Sequence, residues 1–259
     1  MKEMGVGQNS PSGVFVFDEF RDNLIIDRYD PVFTQMRGSK LRHMHSENSE
    51  DALTWNVFRS LRQIDASLWF GRLAELSFGT HMDVDPRELT VKLWQNVSPP
   101  PSLLRFQGDE GESEIDICLE TPDLVWFIEA KYKSDISTRT TSNEHRNQVL
   151  RNIDVGSYYA GTRRFYFSLL VLEESRSPRG VAAVREYEAD YRGFRDSLAH
   201  RQDGCANVSG IGLLHWAALA SALASCSECA TREEEREYAR RALEWLRGRG
   251  IERDEGHAG

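Results

Sequence analysis

Asp116, Glu129 and Lys131, with Glu114 close by, are the residues whose types and spacing could do chemistry in this chain. Twelve residues separate Asp116 from the Glu129-Ala130-Lys131 tripeptide. Ile115 to Leu119 alternates sides around Asp116, Thr121-Pro122-Asp123 breaks the run, and residues 124 to 130 read Leu-Val-Trp-Phe-Ile-Glu-Ala. The pattern predicts two neighbouring strands joined by a tight turn. Strand side chains alternate faces, so Glu114, Asp116 and Cys118 share one side of the first strand, and Phe127, Glu129 and Lys131 share one side of the second. The turn lets both sets face one cleft. Two carboxylates held close together resist joint ionisation unless a cation lies between them, and hard oxygen ligands suit Mg²⁺ or Mn²⁺. Such a metal polarises a phosphoryl oxygen and lowers the pKa of a bound water. A lysine two residues beyond the second carboxylate can orient that water or stabilise charge growing on a pentavalent phosphate. The chemistry in view is metal-assisted phosphodiester hydrolysis.

A plainer explanation competes with it. Charged residues make up 28% of the chain, and solvated strands often alternate Glu with Lys. Against that, Glu129 ends the strongly apolar run Leu124 to Ile128, where a purely solvent-facing carboxylate is an odd neighbour.

On these residues the chain resembles the PD-(D/E)XK superfamily of restriction-endonuclease-like nucleases, whose hairpin carries an Asp followed by Glu-x-Lys. The resemblance implies catalytic roles for Asp116, Glu129 and Lys131, a metal held by Asp116 and Glu129, and the Ala130 carbonyl as a further ligand. The proline named in the family pattern is absent, since Ile115 precedes Asp116. The resemblance covers roughly residues 46 to 220 and implies an α/β restriction-endonuclease-like core, a central mixed β-sheet flanked by α-helices.

Two helices must complete such a site. Upstream, Leu53, Val57, Leu61 and Ile64 recur at helical spacing behind Asn48-Ser49-Glu50-Asp51, with Ser49 or Asn48 as N-cap. Glu50 falls on the apolar stripe of that helix, although acids in a first turn also simply favour the helix dipole. The segment Glu50 to Trp55 is similar to the first helix of many nucleases of the superfamily, which implies Glu50 as a further metal ligand, or Asp51 in its place. Downstream, Thr141-Ser142-Asn143-Glu144 has capping-box spacing and predicts a helix ending near Gly161, with Gln148, Asn152, Val155 and Tyr159 on one face. The resemblance implies that Gln148 positions the water or a phosphate. His145, Arg146 and Arg151 decorate the same helix and could meet phosphates, or could be its solvated side.

Composition bounds the rest. The 259 residues, 40% hydrophobic, suffice for a full core. We expect residues 1–45 to form an N-terminal arm with a basic segment and residues 46–259 the nuclease-like domain. The net charge of -9 argues against broad nucleic-acid affinity. Local clustering softens the objection, because Arg37, Lys40, Arg42, His43 and His45 crowd just before the Glu50 helix. Four scattered cysteines do not make a secreted disulfide framework, and Cys226 and Cys229 lack the second pair a zinc site needs. No apolar stretch is long enough to span a bilayer and the N-terminus shows no apolar signal core, so a cytoplasmic protein without membrane association is expected.

Along the chain the patterns predict a mobile polar tail over residues 1 to 12 and short extended pieces at Val14 to Phe20 and Leu24 to Asp27. They add a helix continuing over Ala66 to Phe78, strands at Leu89 to Val97 and Leu103 to Phe106, and an acidic Gly-rich turn at Gly108 to Gly111. Beyond the hairpin they predict a strand over Arg164 to Glu173, a helix over Tyr187 to His200, a strand over Ile211 to His215 and a helix over Trp216 to Ser225. Thr231-Arg232-Glu233-Glu234 reads as the cap of a last helix ending at Gly248. The expected function is that of a Mg²⁺- or Mn²⁺-dependent endonuclease cutting DNA, with phosphate contacts from Arg37, Lys40, Arg42, Arg146 and Arg151. The core uses almost the whole chain, so specificity would come from short insertions, a homodimer mate or a partner subunit. That fits an effector of bacterial restriction or antiphage defence, by analogy of fold. The alternatives are an RNA-cleaving nuclease with the same residues, and a non-catalytic binding or assembly protein that keeps the fold.

Overall fold

A run of apolar residues with no polar alternation can be a strand only if both its faces are covered. Two such runs, Leu124–Ala130 and Arg164–Val171, form the middle of a five-stranded sheet, in which every residue of the first is buried. The computed structural model describes residues 6–82, 85, 87–106, 111–137 and 146–252. The chain divides into two compact units, Met1–Trp69 with Ala217–Gly259, and Phe70–Trp216. The boundary expected at residue 45 therefore falls inside the first unit.

The first unit opens with a two-stranded antiparallel ribbon, β1 (Gly7–Asn9) and β2 (Phe15–Phe17). Short helices α1 (Val32–Gln35) and α2 (Gly38–Met44) follow, α2 being the basic segment. Helix α3 (Glu50–Leu61) starts at Ser49, whose hydroxyl accepts the Ala52 N–H at 3.1 Å. Its interior is buried almost all round. Asn56 holds the preceding loop by accepting from the Ile25 N–H and donating to the Asn23 carbonyl, both at 2.9 Å. Leu24 to Asp27 thus forms a loop pinned to α3 and not an extended strand.

The second unit contains α4 (Phe70–Phe78), β3 (Thr90–Val97), α5 (Pro101–Phe106), β4 (Ser113–Glu120), β5 (Leu124–Ala130), α6 (Gln148–Ala160), β6 (Arg164–Val171), α7 (Pro178–Ala189), α8 (Tyr191–Asp196) and β7 (Val208–His215). Strand order is β3-β4-β5-β6-β7, with the first three antiparallel and the last three parallel. The unit is therefore an α/β arrangement with a mixed sheet flanked by helices. From its last residue runs α9 (Trp216–Cys229), which continues into the first unit, and α10 (Glu233–Arg247) completes that unit. Among the described residues no helix is long and apolar enough to cross a membrane.

Several sequence expectations change. Leu103 to Phe106 is part of helix α5 and not a strand, because Pro101 occupies its first position, where proline's missing N–H costs nothing. The helix predicted over Tyr187 to His200 is broken at Asp190, which ends α7 and caps α8 by accepting the Gly193 N–H at 2.9 Å. Thr231 caps nothing, since α10 begins after Arg232 without a side-chain cap. Helix α6 is capped by Asn147, which accepts the Leu150 N–H at 2.9 Å, and ends at Gly161 with φ 64°. The capping box read at Thr141 to Glu144, like His145 and most of the turn at Gly108 to Gly111, lies outside the described residues.

Asp154 on α6 anchors the polar interior of this unit. Fully buried, it accepts hydrogen bonds from Arg201 Nη1 at 2.8 Å on Oδ1 and from His200 Nε2 at 2.8 Å on Oδ2, and Arg146 Nη2 forms an ion pair with Oδ2 at 2.7 Å. Burial raises its pKa, but the hydrogen bond of His200, the charge of Arg146 and the hydrogen bond of Arg201 outweigh it and hold the carboxyl below its ordinary value. A depressed folded pKa means that this stability is present above the unfolded pKa and is lost as pH falls through the folded one. Asp154→Ala leaves buried guanidinium groups without their carboxylate and should cost about 3–5 kcal/mol in urea unfolding. An unchanged urea midpoint at neutral pH would show that the cluster is not the anchor inferred.

Candidate active site at the end of β5

Strand β5 delivers Glu129 at its C-terminal end, where the chain leaves the sheet for α6 and returns as the parallel strand β6. Ligands of open α/β sheets gather at such carboxyl ends. Glu129 is 2% exposed and Lys131 7%, so the charges are held inside and must be compensated there. Lys131 Nζ donates to Glu129 Oε1 at 2.6 Å and to the Ala130 carbonyl at 3.0 Å. The Lys131 backbone is fixed from both sides, its N–H donating to the Leu170 carbonyl at 2.7 Å and its own carbonyl accepting Trp216 Nε1 at 3.1 Å.

Helix α6 lies against the face of β5 that carries Phe127 and Glu129. Gly156 allows the close approach, since a Cβ there would come within 2.2 Å of Phe165 and 2.7 Å of Phe127. Gln148, Asn152 and Gly156 are spaced four residues apart and make one strip along the helix. The first two reach the carboxylate: Gln148 Nε2 donates to Glu129 Oε1 at 2.6 Å and Asn152 Nδ2 to Oε2 at 2.7 Å. Gln148 is itself latched to Ser137, its N–H donating to that carbonyl at 3.1 Å while its Oε1 accepts the Ser137 N–H at 3.3 Å.

Asp116 meets β5 through the backbone. Its Oδ2 accepts the Ala130 N–H at 3.0 Å. The β4–β5 pairing runs from Ile117↔Ile128 to Glu120↔Val125, so Asp116 and Glu129 face each other where the ladder ends and the Asp116 side chain takes over a main-chain partner's place. On its other side the β3–β4 pairing is interrupted at the same residue. Leu93↔Ile117 and Gln95↔Ile115 bracket it, and the residue opposite, Trp94, has φ 56°. A left-handed tryptophan inside a strand is a strained conformation, and it lies beside the central acid of the site. Glu114, on the same side of β4, is exposed. Burial pushes the Cys118 thiol up to about 12, which makes it an inert core group.

The structure thus brings together Asp116, Glu129, Ala130, Lys131 and Gln148, all in the second unit. Asn152 joins them. The sequence placed it on the Gln148 face but gave it no role, and its spacing of four from Gln148 was the signal. Glu50 opens α3 in the first unit, half-buried, next to Asp51, whose Oδ1 pairs with Lys40 Nζ at 3.0 Å. Among the cations expected to meet phosphate, Arg37 and Arg42 are exposed on and beside α2. Lys40 is half-buried in its ion pair with Asp51. Arg146 is 3% exposed and turned onto Asp154, which takes it away from a phosphate-facing position. Arg151 is half-buried and donates through Nη2 to the Gly111 and Glu112 carbonyls, each at 3.2 Å. Cys226 is buried with its thiol pushed up to about 12, while Cys229 is exposed.

Among the described residues no group of three or more His, Cys, Asp or Glu side chains is gathered to hold a metal ion. The donor set at the end of β5 is instead two carboxylates and a carbonyl, all hard oxygen. Among the described residues Glu129 Oε1 accepts two hydrogen bonds and Oε2 one, so of the four acceptor positions of a carboxylate one is left by them, on Oε2. This set fits Mg²⁺ or Mn²⁺ with much of the coordination left to water, as Mg²⁺ sites commonly have it.

The fold and site together define an α/β protein with a mixed five-stranded sheet and a buried Glu-Lys pair at the end of a central strand. No family model, no curated protein and no solved structure matches the chain.

Proposed function

We propose that the chain is a divalent-metal-dependent nuclease of the restriction-endonuclease-like type that hydrolyses DNA phosphodiester bonds. The observation that carries this reading is the convergence of Lys131 and Gln148 on the buried Glu129 carboxylate at the carboxyl end of β5, with Asp116 bonded to the adjoining Ala130 N–H. Asp116, Glu129 and the Ala130 carbonyl would hold Mg²⁺ or Mn²⁺, which when bound supplies Lewis-acid polarisation of the phosphoryl group and an acidified water. Lys131 brings a compact positive charge to the place where negative charge develops, and its position is fixed by Glu129 Oε1 and the Ala130 carbonyl. Gln148 orients Glu129 and links it to the segment at Ser137. The setting in restriction or antiphage defence belongs to this proposal through the family resemblance.

A second reading has its own observation. A carboxylate that already accepts three hydrogen bonds and is 2% exposed also suits a structural ion pair. On that reading the chain is a non-catalytic binding protein that retains the arrangement. Incubating the full chain with plasmid, single-stranded DNA and RNA, with Mg²⁺, Mn²⁺ or chelator, separates the cases. Metal-dependent loss of intact DNA supports the nuclease, cleavage confined to RNA moves the substrate, and no cleavage of any of them under either metal leaves the binding protein.

Substrate capture is expected to depend on Arg37 and Arg42, the exposed members of the basic set. Phosphate contacts carry no base information, so charge reversal at both should weaken DNA binding alike for all sequences. It should also flatten the slope of log affinity against log salt by about 1.8, at roughly 0.9 per lost phosphate contact on duplex DNA. Unchanged affinity and slope in a filter-binding titration would remove α2 from the DNA-binding surface. With a net charge of -9, binding by the isolated chain should be weak, and a dimer mate or partner subunit would supply specificity.

A further inference from the structure

A buried carboxylate that is to accept a cation must offer it a defined lone pair, and its other partners decide which one. Among the described residues Glu129 Oε1 has both acceptor positions filled, by Lys131 Nζ and Gln148 Nε2 at 2.6 Å each, whereas Oε2 has one donor, Asn152 Nδ2 at 2.7 Å. Lys131 and Gln148 together fix only one oxygen, about which the carboxylate can still pivot. Among the described residues Asn152 is the one donor to the other. It is 4% exposed, on a helix drawn tightly onto β5 at Gly156, so its short amide has little freedom to follow a turning carboxylate.

We infer that Asn152 is a positioning residue of the site: it fixes the rotation of Glu129 so that the remaining acceptor direction of Oε2 is the one presented to the cation. This rests on the metal-dependent reading proposed above. An amide suits the position because it donates to a carboxylate without charge, where a second carboxylate at this distance would repel it. Partners of metal ligands orient them in this way, and their loss weakens metal binding or activity by about ten- to a hundredfold.

The test is Mn²⁺ titration calorimetry on the full chain and on Asn152→Leu, which keeps most of the side-chain volume, with Asn152→Ala as the second variant should the leucine disturb packing. Circular dichroism confirms that each is folded, and steady-state cleavage separates kcat from KM. The expected result is Mn²⁺ affinity reduced by about tenfold or more, with kcat lowered and KM for DNA unchanged. Folded variants that bind Mn²⁺ as the parent does, with only a lower melting temperature, would show that Asn152 merely satisfies the interior, and the inference would fail while the metal-dependent reading stood. A parent chain that takes up no Mn²⁺ would overturn the metal-dependent reading and, with it, this inference.

Discussion

Asp116→Asn is expected to abolish cleavage while leaving the fold in place. Asparagine keeps an oxygen where Oδ2 accepts the Ala130 N–H at 3.0 Å, so the bond that joins β4 to the end of β5 can persist. What it removes is the negative charge, and with it a hard anionic ligand. Loss of that ligand should lower kcat by at least on the order of a thousandfold, the several kcal/mol that metal polarisation contributes. Asp116→Ala should lose cleavage equally but also strand the Ala130 N–H, at about 1–3 kcal/mol. The pair of variants therefore separates the two roles of the residue, chemistry in both and stability in alanine alone. A folded Asp116→Asn protein that cuts at the parent rate would dismiss Asp116 from the site.

Lys131→Met should lower turnover by at least on the order of a hundredfold without weakening Mn²⁺ binding. The ammonium donates to Glu129 Oε1 and to the Ala130 carbonyl, whereas the acceptor position left for a cation is on Glu129 Oε2. Removing a neighbouring positive charge cannot reduce the attraction of these oxygens for a divalent ion, so affinity should hold or rise. Without metal, Glu129 would be a buried carboxylate that keeps only the two amide donors found among the described residues, and the variant should be less stable by about 3–5 kcal/mol. Mn²⁺ should then raise its melting temperature more than that of the parent. Glu129→Ala provides the contrast, since it should lose metal binding outright. Equal loss of Mn²⁺ affinity in Lys131→Met and Glu129→Ala would refute the separation of lysine from metal loading.

Much of the frame was legible because strands and helices announce themselves in periodicity. The hairpin of β4 and β5 followed from the alternation around Asp116 and the break at Thr121-Pro122-Asp123, and the start of α3 from a cap at Asn48 or Ser49, between which the structure chose Ser49. The same local logic failed where two local signals competed. Leu103 to Phe106 has strand-like residues, yet proline at the first helical position recruited it into α5. Tyr187 to His200 has helical periodicity, yet Asp190 splits it by bonding to its own backbone neighbourhood.

By itself the sequence determined which residues could act together: strand alternation set Asp116 on one face of β4 and Glu129 with Lys131 on one face of β5, and helical spacing set Gln148 and Asn152 in line. Only the tertiary structure decided what those residues do to one another, because the distances depend on non-local contacts. Gly156 against Phe127 and Phe165 brings α6 close enough for Asn152 to reach Glu129, which no window of sequence around either residue reveals. The same holds for Arg146. As a charge beside a candidate site it reads as a phosphate contact, but Asp154, eight residues along the chain and fully buried, draws it into the interior because a buried carboxylate must find cations wherever the fold can supply them.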